Sequence, residues 1–84
     1  MLKRYWIVCK DDGSPSILNI GCGITAHSLA DAKRILHDHV VPIYGFRDID
    51  FIEEDVDISK LDGNHVIPNM GSPVVQNVWF PLLP

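Results

Sequence analysis

One amphipathic helix, beginning after Ser28, constrains this fold more than any other feature of the sequence. Ser28 is a residue type favoured at the N-cap, and Asp31 follows at the third helical position, where a carboxylate meets unpaired amides. Apolar residues recur at helical spacing along one side of this segment, at Leu29, Ala32, Ile35, Leu36 and Val40. Pro42 disfavours the helical conformation at Val41, so we expect the helix to end there.

Segments with β-strand character lie on both sides of this helix. Two strands are predicted before it, at 2–10 and 16–24, joined by a turn rich in Asp, Gly, Ser and Pro. Two more are predicted after it, at 48–53 and 74–80, with a single helical turn at 57–61 between them. Tight pairing of the first two strands predicts that four side chains share a face: Ile7, Cys9, Ile20 and Cys22.

The order of these elements, β-β-α-β-turn-β, predicts an α+β fold. We expect an antiparallel sheet of about four strands with one main helix packed on one face. A chain of 84 residues has enough surface to bury for a single domain, spanning residues 1–84. Alternation in the last strand places Trp79 and Phe80 on opposite faces, so at least one ring should contact the helix. Leu82 and Leu83 either fold back over the sheet or form a homodimer contact with a second copy.

Charge and hydropathy exclude several classes of partner. The chain has 7 Lys and Arg residues against 11 Asp and Glu residues, a net charge of −4, so we expect no nucleic-acid partner. No segment approaches the ~20 apolar residues of a membrane span, and no signal-peptide pattern is present. We therefore expect no membrane association and a cytoplasmic location, in which Cys9 and Cys22 are reduced and buried.

Residues 21–26 match the pattern G-x-G-x-x-A of dinucleotide-binding sites. In such a site the helix begins inside the motif, within a parallel βαβ unit. Here the cap at Ser28 lies beyond Ala26, and the chain is too short for that fold. We expect no cofactor, and we interpret Gly21 and Gly23 as residues that allow a bend or a bulge in a twisted strand.

The strongest candidate for a binding surface is the proline-containing loop 65–73 with the acidic segment before it. Two prolines stiffen this loop, which we expect to be ordered without regular structure. The candidate binding residues are Asp55, Asp57, Asp62, His65, Asn69 and Trp79. This pattern indicates a non-enzymatic module that binds another protein, for example an immunity protein that neutralises a basic toxin.

The alternative is a small enzyme that depends on a divalent metal or binds a small molecule. Four of the same residues, Asp55, Asp57, Asp62 and His65, supply oxygen and imidazole donors. The EF-hand template fails, because Leu61 occupies the fifth position of a loop that begins at Asp57. The sequence identifies no catalytic residue and no metal ligand set.

Much of the chain from Gly23 onward resembles a group of small uncharacterised bacterial proteins. The resemblance rests on G-I-T-A at 23–26, E-D-V-D-I-S-x-L-D at 54–62, H-V-x-P-N-M-G-x-P at 65–73 and W-F-P at 79–81. It implies membership of that group. No activity is established for the group, so the resemblance implies no function.

Overall fold

The computed structural model describes residues 1–11, 13 and 15–83, and these residues form an α+β fold. Four antiparallel strands make one sheet, and the helical segment packs on one of its faces, which confirms the predicted fold class. The strand order is β3-β1-β2-β4, so β3 and β4 are the edges of the sheet. The strands are β1 (Lys3–Cys9), β2 (Cys22–Ala26), β3 (Ile49–Glu54) and β4 (Asn77–Phe80).

The helix α1 (Leu29–Ile35) begins where its cap predicts. The Ser28 hydroxyl accepts a hydrogen bond of 3.1 Å from the Asp31 amide, and the Asp31 carboxylate accepts one of 3.1 Å from the His27 amide. These two bonds satisfy amides that the first helical turn leaves unpaired. Four residues of the predicted apolar stripe are buried, whereas Leu29 at its start is exposed.

The helix does not end at Val41, and this prediction was wrong. The chain continues through a π-helical segment (Leu36–Val40) into a short helix α2 (Val41–Tyr44), which ends at Gly45 with a φ of 87°. Pro42 lies in the first turn of α2, where backbone N–H groups have no acceptor within the helix. The N–H that proline lacks therefore costs no hydrogen bond, and the chain continues from the π turn into α2.

The pairing of β1 with β2 follows the predicted alternation. Ile7 lies opposite Cys22 and Tyr5 opposite Ile24, so odd residues of β1 and even residues of β2 share the helix side of the sheet. The predicted second strand is nevertheless too long at its start, since Ile17–Asn19 is a 3₁₀ turn capped by a side-chain hydroxyl at residue 16. Ile20 therefore lies outside the sheet and is 39% exposed.

Buried apolar side chains form two layers, one on each face of the sheet. The layer on the helix side includes Tyr5, Ile7, Cys9, Leu18, Cys22, Ile24, Ala26, Ala32, Ile35, Leu36, Val40 and Val78. We call the other layer the aromatic layer; it consists of Trp6, Val56, Val66, Trp79 and Phe80. The sheet is thus covered on both faces, by the helix on one and by the segment after β3 on the other.

Trp79 and Phe80 lie in the same layer, so the prediction of opposite faces was wrong. Gly23 pairs with Phe80 and Ile24 with Val78, which leaves Trp79 as the extra residue of a β-bulge. The bulge shifts the alternation by one residue. Val78 therefore points toward the helix, and neither aromatic ring joins the helix-side layer.

Both glycines of the G-x-G pattern lie directly beneath tryptophan rings. A Cβ atom at Gly23 would lie 2.4 Å from the ring of Trp79, and a Cβ atom at Gly21 would lie 2.4 Å from the ring of Trp6. The two indoles stack with ring centroids 5.9 Å apart and an interplanar angle of 28°. The glycines therefore serve the packing of the aromatic layer.

Replacing Gly23 by alanine should destabilise the fold. The added methyl would overlap the buried Trp79 ring, and we expect a loss of about 1–3 kcal/mol in the free energy of unfolding. Urea denaturation of Gly23→Ala measures this loss. The matched control is Gly63→Ala, because a Cβ atom there has nothing within 4 Å and should leave the urea midpoint nearly unchanged.

Candidate functional site

The segment that follows β3 covers the aromatic layer. Val56 and Val66 are its buried anchors, at 7% and 1% exposure, and they pack with Trp6 and the two aromatic residues of β4. Partly buried side chains of the same segment complete the cover, from Ile58, Leu61 and Met70. The predicted binding loop therefore also covers the aromatic layer and has a structural role.

Asp62 organises the first part of the loop. Its Oδ1 accepts hydrogen bonds from the amides of Asn64 at 2.8 Å and His65 at 3.2 Å, and its Oδ2 lies 2.9 Å from Nδ1 of His65. Its main-chain oxygen accepts from the amides of Val66 and Ile67. The bond from the Asn64 amide, with those from His65, lowers the pKa of the Asp62 carboxyl.

Asn69 closes the turn that Asp62 begins. Its Nδ2 donates to the main-chain oxygen of His65 at 3.0 Å, beside the short 3₁₀ turn Ile67–Asn69. Three predicted site residues, Asp62, His65 and Asn69, are therefore brought together by the structure. Their polar groups hold the loop in shape.

The end of the loop is fixed to the sheet at two points. The buried hydroxyl of Thr25 donates to the main-chain oxygen of Pro73 at 2.6 Å, and the amide of Gly71 donates to the main-chain oxygen of Trp79 at 2.7 Å. No sequence pattern pointed to this role of Thr25, because a lone threonine in a strand matches no loop-binding motif. These bonds tie the loop to the sheet, and the 3₁₀ turn Ile67–Asn69 within it shows that the prediction of no regular structure was wrong.

Asp55 and Asp57 occupy the turn between β3 and the loop. Asp57 caps the 3₁₀ turn Ile58–Lys60, accepting from the amide and the hydroxyl of Ser59 at 3.0 and 2.7 Å. These bonds lower the pKa of Asp57. Asp55 is exposed and adopts a left-handed φ of 54°, as the chain turns away from the strand.

The predicted donors do not converge on a common metal position. Among residues 1–11, 13 and 15–83, no group of three or more His, Cys, Asp or Glu side chains could hold a metal ion. Asp62 pairs with His65, and Asp57 with Ser59, so these carboxylates are oriented by local turns. The geometry of the described residues gives no support to the metal-dependent alternative.

Trp79 was predicted as a binding residue, but its side chain does not reach the surface. Its side chain is fully buried, and its Nε1 atom has no hydrogen-bond partner among the described residues. A buried N–H without a partner costs about 1–3 kcal/mol, so the ring is held there by its apolar contacts with Trp6 and Gly23. Trp79 stabilises the loop from below.

The leucines near the C-terminus differ in their surroundings. Leu83 is partly buried and packs against the helix-side layer, whereas Leu82 is 59% exposed and lies near Gly71. Leu83 thus folds back onto the sheet, one of the two predicted alternatives. A homodimer contact through Leu82 and Leu83 remains a prediction.

The acidic segment that was predicted to be part of the binding surface begins on the outer edge of β3, and this edge position was not anticipated from the sequence. Among the described residues this strand pairs only with β1, and a bulge beside Val8 and Cys9 interrupts its alternation. Ile49 and Ile52 pack toward the helix, while Phe51 is 54% exposed. We call the exposed side chains of this strand and its turn the acidic edge, defined as Asp50, Phe51, Glu53, Glu54 and Asp55. Strand order decides that they form an edge, and strand order cannot be read from one sequence.

Comparison with known proteins gives no match. No family model, curated protein or solved structure is similar to the chain at the level required for a relationship. The resemblance to small bacterial proteins therefore remains a prediction. In the described part of the chain, no helix is long and apolar enough to cross a membrane.

The Asp62 hydrogen bonds predict an acid-dependent loss of stability. The folded-state pKa of Asp62 lies below its ordinary value of 3.8, so its contribution is complete above that value and is lost as the pH falls through the folded-state pKa. Asp62→Asn removes the titrating carboxyl. Between about pH 5 and pH 2, its urea midpoint should fall less than that of the unaltered chain. Asp50→Asn is the control, since the Asp50 carboxylate accepts no hydrogen bond among the described residues; equal slopes for all three proteins would contradict this role of Asp62.

The two thiols should be unreactive in the folded chain. Cys9 and Cys22 are unpaired and buried, and burial raises the pKa of both, an effect that Arg47 partly offsets at Cys9. Because the thiolate is the reactive form, we expect slow labelling by a thiol reagent at neutral pH. Unfolding in urea should restore the rate of a free cysteine. Fast labelling of either residue before unfolding would contradict its burial.

Proposed function

We propose that this chain is a non-enzymatic protein-binding module that docks a basic, extended segment of its partner along the acidic edge. The proposal also gives the outer surface of the loop 65–73 a second contact with the partner. One observation carries this proposal: β3 is an open edge of the sheet, and it presents an exposed aromatic ring, Phe51, among exposed carboxylates. An open edge can accept another strand through its main-chain groups.

The distribution of charge favours a basic partner. Residues 48–57 contain six carboxylates, more than half of the 11 in the chain, and no lysine or arginine. Such a concentration of negative charge speeds the encounter with a positively charged partner and disfavours acidic competitors. It also disfavours pairing of β3 with β3 of a second copy, because like charges would face each other.

Phe51 supplies the apolar contact that charge alone lacks. Its ring is 54% exposed and lies opposite Val8, which is only half-buried. Aromatic side chains at the centre of an interface contribute a large share of its binding energy when a partner covers them. Phe51 is the residue that we expect to anchor the partner.

The loop contributes a surface that needs little ordering on binding. Asp62, Asn69 and Thr25 hold it by hydrogen bonds, so a partner contacts a shape that already exists. Exposed side chains such as His65 and Ile67 lie on its outer side. A basic toxin bound by an immunity protein is one partner of this chemistry. The proposal includes a cytoplasmic location, which the two unpaired thiols support.

The test is an NMR titration of the full chain with a short peptide of alternating lysine and valine. We expect shifts in the amides of β3 and in those of the loop 65–73, with affinity that falls as salt is raised. Glu53→Lys should weaken binding roughly tenfold. The matched control, Asp38→Lys, makes the same charge change on the helix and should have a much smaller effect.

A second peptide separates strand pairing from simple attraction between charges. It has the same sequence, but alternate main-chain amides are N-methylated, so that they cannot donate to β3. We expect it to bind much more weakly. Equal binding by both peptides, or shifts spread over the whole surface, would contradict docking at this edge.

A further inference from the structure

A cavity lies on the helix side of the molecule and shares no residue with the acidic edge. It has a volume of about 230 Å³ and opens between the π-helical segment and the chain that leads into β3. Its apolar lining comes from Leu36, Val41, Phe46 and Ile49. Leu36 and Val41 are the two ends of the π turn, since the amide of Val41 donates to the oxygen of Leu36. π turns inside helices occur frequently at functional sites.

Phe46 projects at the rim of this cavity. Gly45, with a φ of 87°, turns the chain just before it, and 72% of Phe46 is exposed. Phe46 also borders a shallow groove that Ile17, Ile43 and Tyr44 line, and both isoleucines are exposed. The cavity, Phe46 and this groove therefore form one continuous apolar patch, and such patches mark interaction surfaces.

The charges beside the cavity are balanced. Lys33 lines it from α1 and Asp48 from the chain before β3, and both side chains are exposed. In the described part of the chain no ion pair involves either of them. Arg47 also lines the cavity, but its guanidinium donates to the side-chain oxygen of Asn19. A surface that places one cation near one anion is complementary in charge to a copy of itself.

The patch also carries a projection and a recess of matching size. An apolar cavity of about 150 Å³ holds benzene, so a volume of about 230 Å³ accommodates one phenylalanine ring. Because Phe46 lies at the rim of the same cavity, two copies related by a two-fold axis can each insert one ring into the other. Such an exchange closes as a dimer, whereas a projection far from its recess would build open chains.

We propose that this patch joins two copies of the chain in a symmetric dimer. Phe46 of each copy fills the cavity of the other, and Lys33 of each copy pairs with Asp48 of the other. The helix side suits this contact better than the open edge of β3, where the carboxylates of two copies would face each other. The acidic edge is not part of the contact.

The first test is sedimentation velocity of the full chain over a range of concentrations. We expect a monomer–dimer equilibrium with a dissociation constant on the order of 10 μM, as for a small specific interface. Phe46→Ala should weaken the dimer about tenfold or more, and its urea midpoint should change little because the ring is exposed. Phe51→Ala is the matched control, since it removes an exposed ring from the acidic edge and should leave the dimer unchanged.

Two charge reversals test the pairing between copies. In a dimer of Lys33→Asp two carboxylates face each other at each contact, and in a dimer of Asp48→Lys two ammonium groups do so. Each variant alone should therefore be largely monomeric. An equal mixture of the two should form a heterodimer, because each contact then joins opposite charges. A mixture that stays monomeric would overturn the proposed pairing.

Three further results would overturn the dimer. One is a chain that stays monomeric at about 1 mM. The second is a dimer that Leu82→Ala abolishes and Phe46→Ala leaves intact, which would place the contact at the C-terminus. The third is a monomer in which benzene shifts the NMR signals of the cavity lining, which would assign the cavity to a small apolar ligand. Peptide docking at the acidic edge is measured separately, so neither proposal depends on the other.

Discussion

The contact of two tryptophan rings with two glycines supports half of this structure. Trp6 lies over Gly21 and Trp79 over Gly23, at distances that no side chain on either glycine would permit. The stacked rings form the floor on which the segment after β3 rests, through Val56 and Val66. Without that floor the loop would have no apolar surface to cover, and the sheet would leave a large apolar face in water.

The contact also gives the glycines of the G-x-G-x-x-A pattern a role in packing. A dinucleotide motif uses glycines so that main chain can approach a phosphate closely. Here the same lack of a side chain lets an indole approach the main chain of β2. The bulge at Trp79 completes the arrangement, because it turns both aromatic residues of β4 to one face. Close packing and ligand binding both require a residue without a side chain, so the motif alone does not distinguish them.

Two backbone irregularities shape the surface of the molecule. The acidic edge exists because β3 is the last strand of the sheet, and a bulge leaves Phe51 outward while Ile49 and Ile52 stay in the core. On the helix side, a π turn carries the helix past Pro42, and Gly45 then reverses the chain toward β3.

The sequence by itself determined the features that depend on neighbours along the chain. The Ser28 cap, the alternation of β1 against β2, the α+β class and the burial of both cysteines follow from local hydrogen bonding and from side-chain periodicity. Tertiary structure alone decided the strand order, the bulge that places Trp79 beside Trp6, and the Thr25 bond to residue 73. It also decided that the Asp62 carboxylate holds a loop instead of meeting Asp55 at a common site. These features join residues far apart in sequence, and a bulge changes which face a side chain takes without changing the local pattern, so only the packing of the whole chain could determine them.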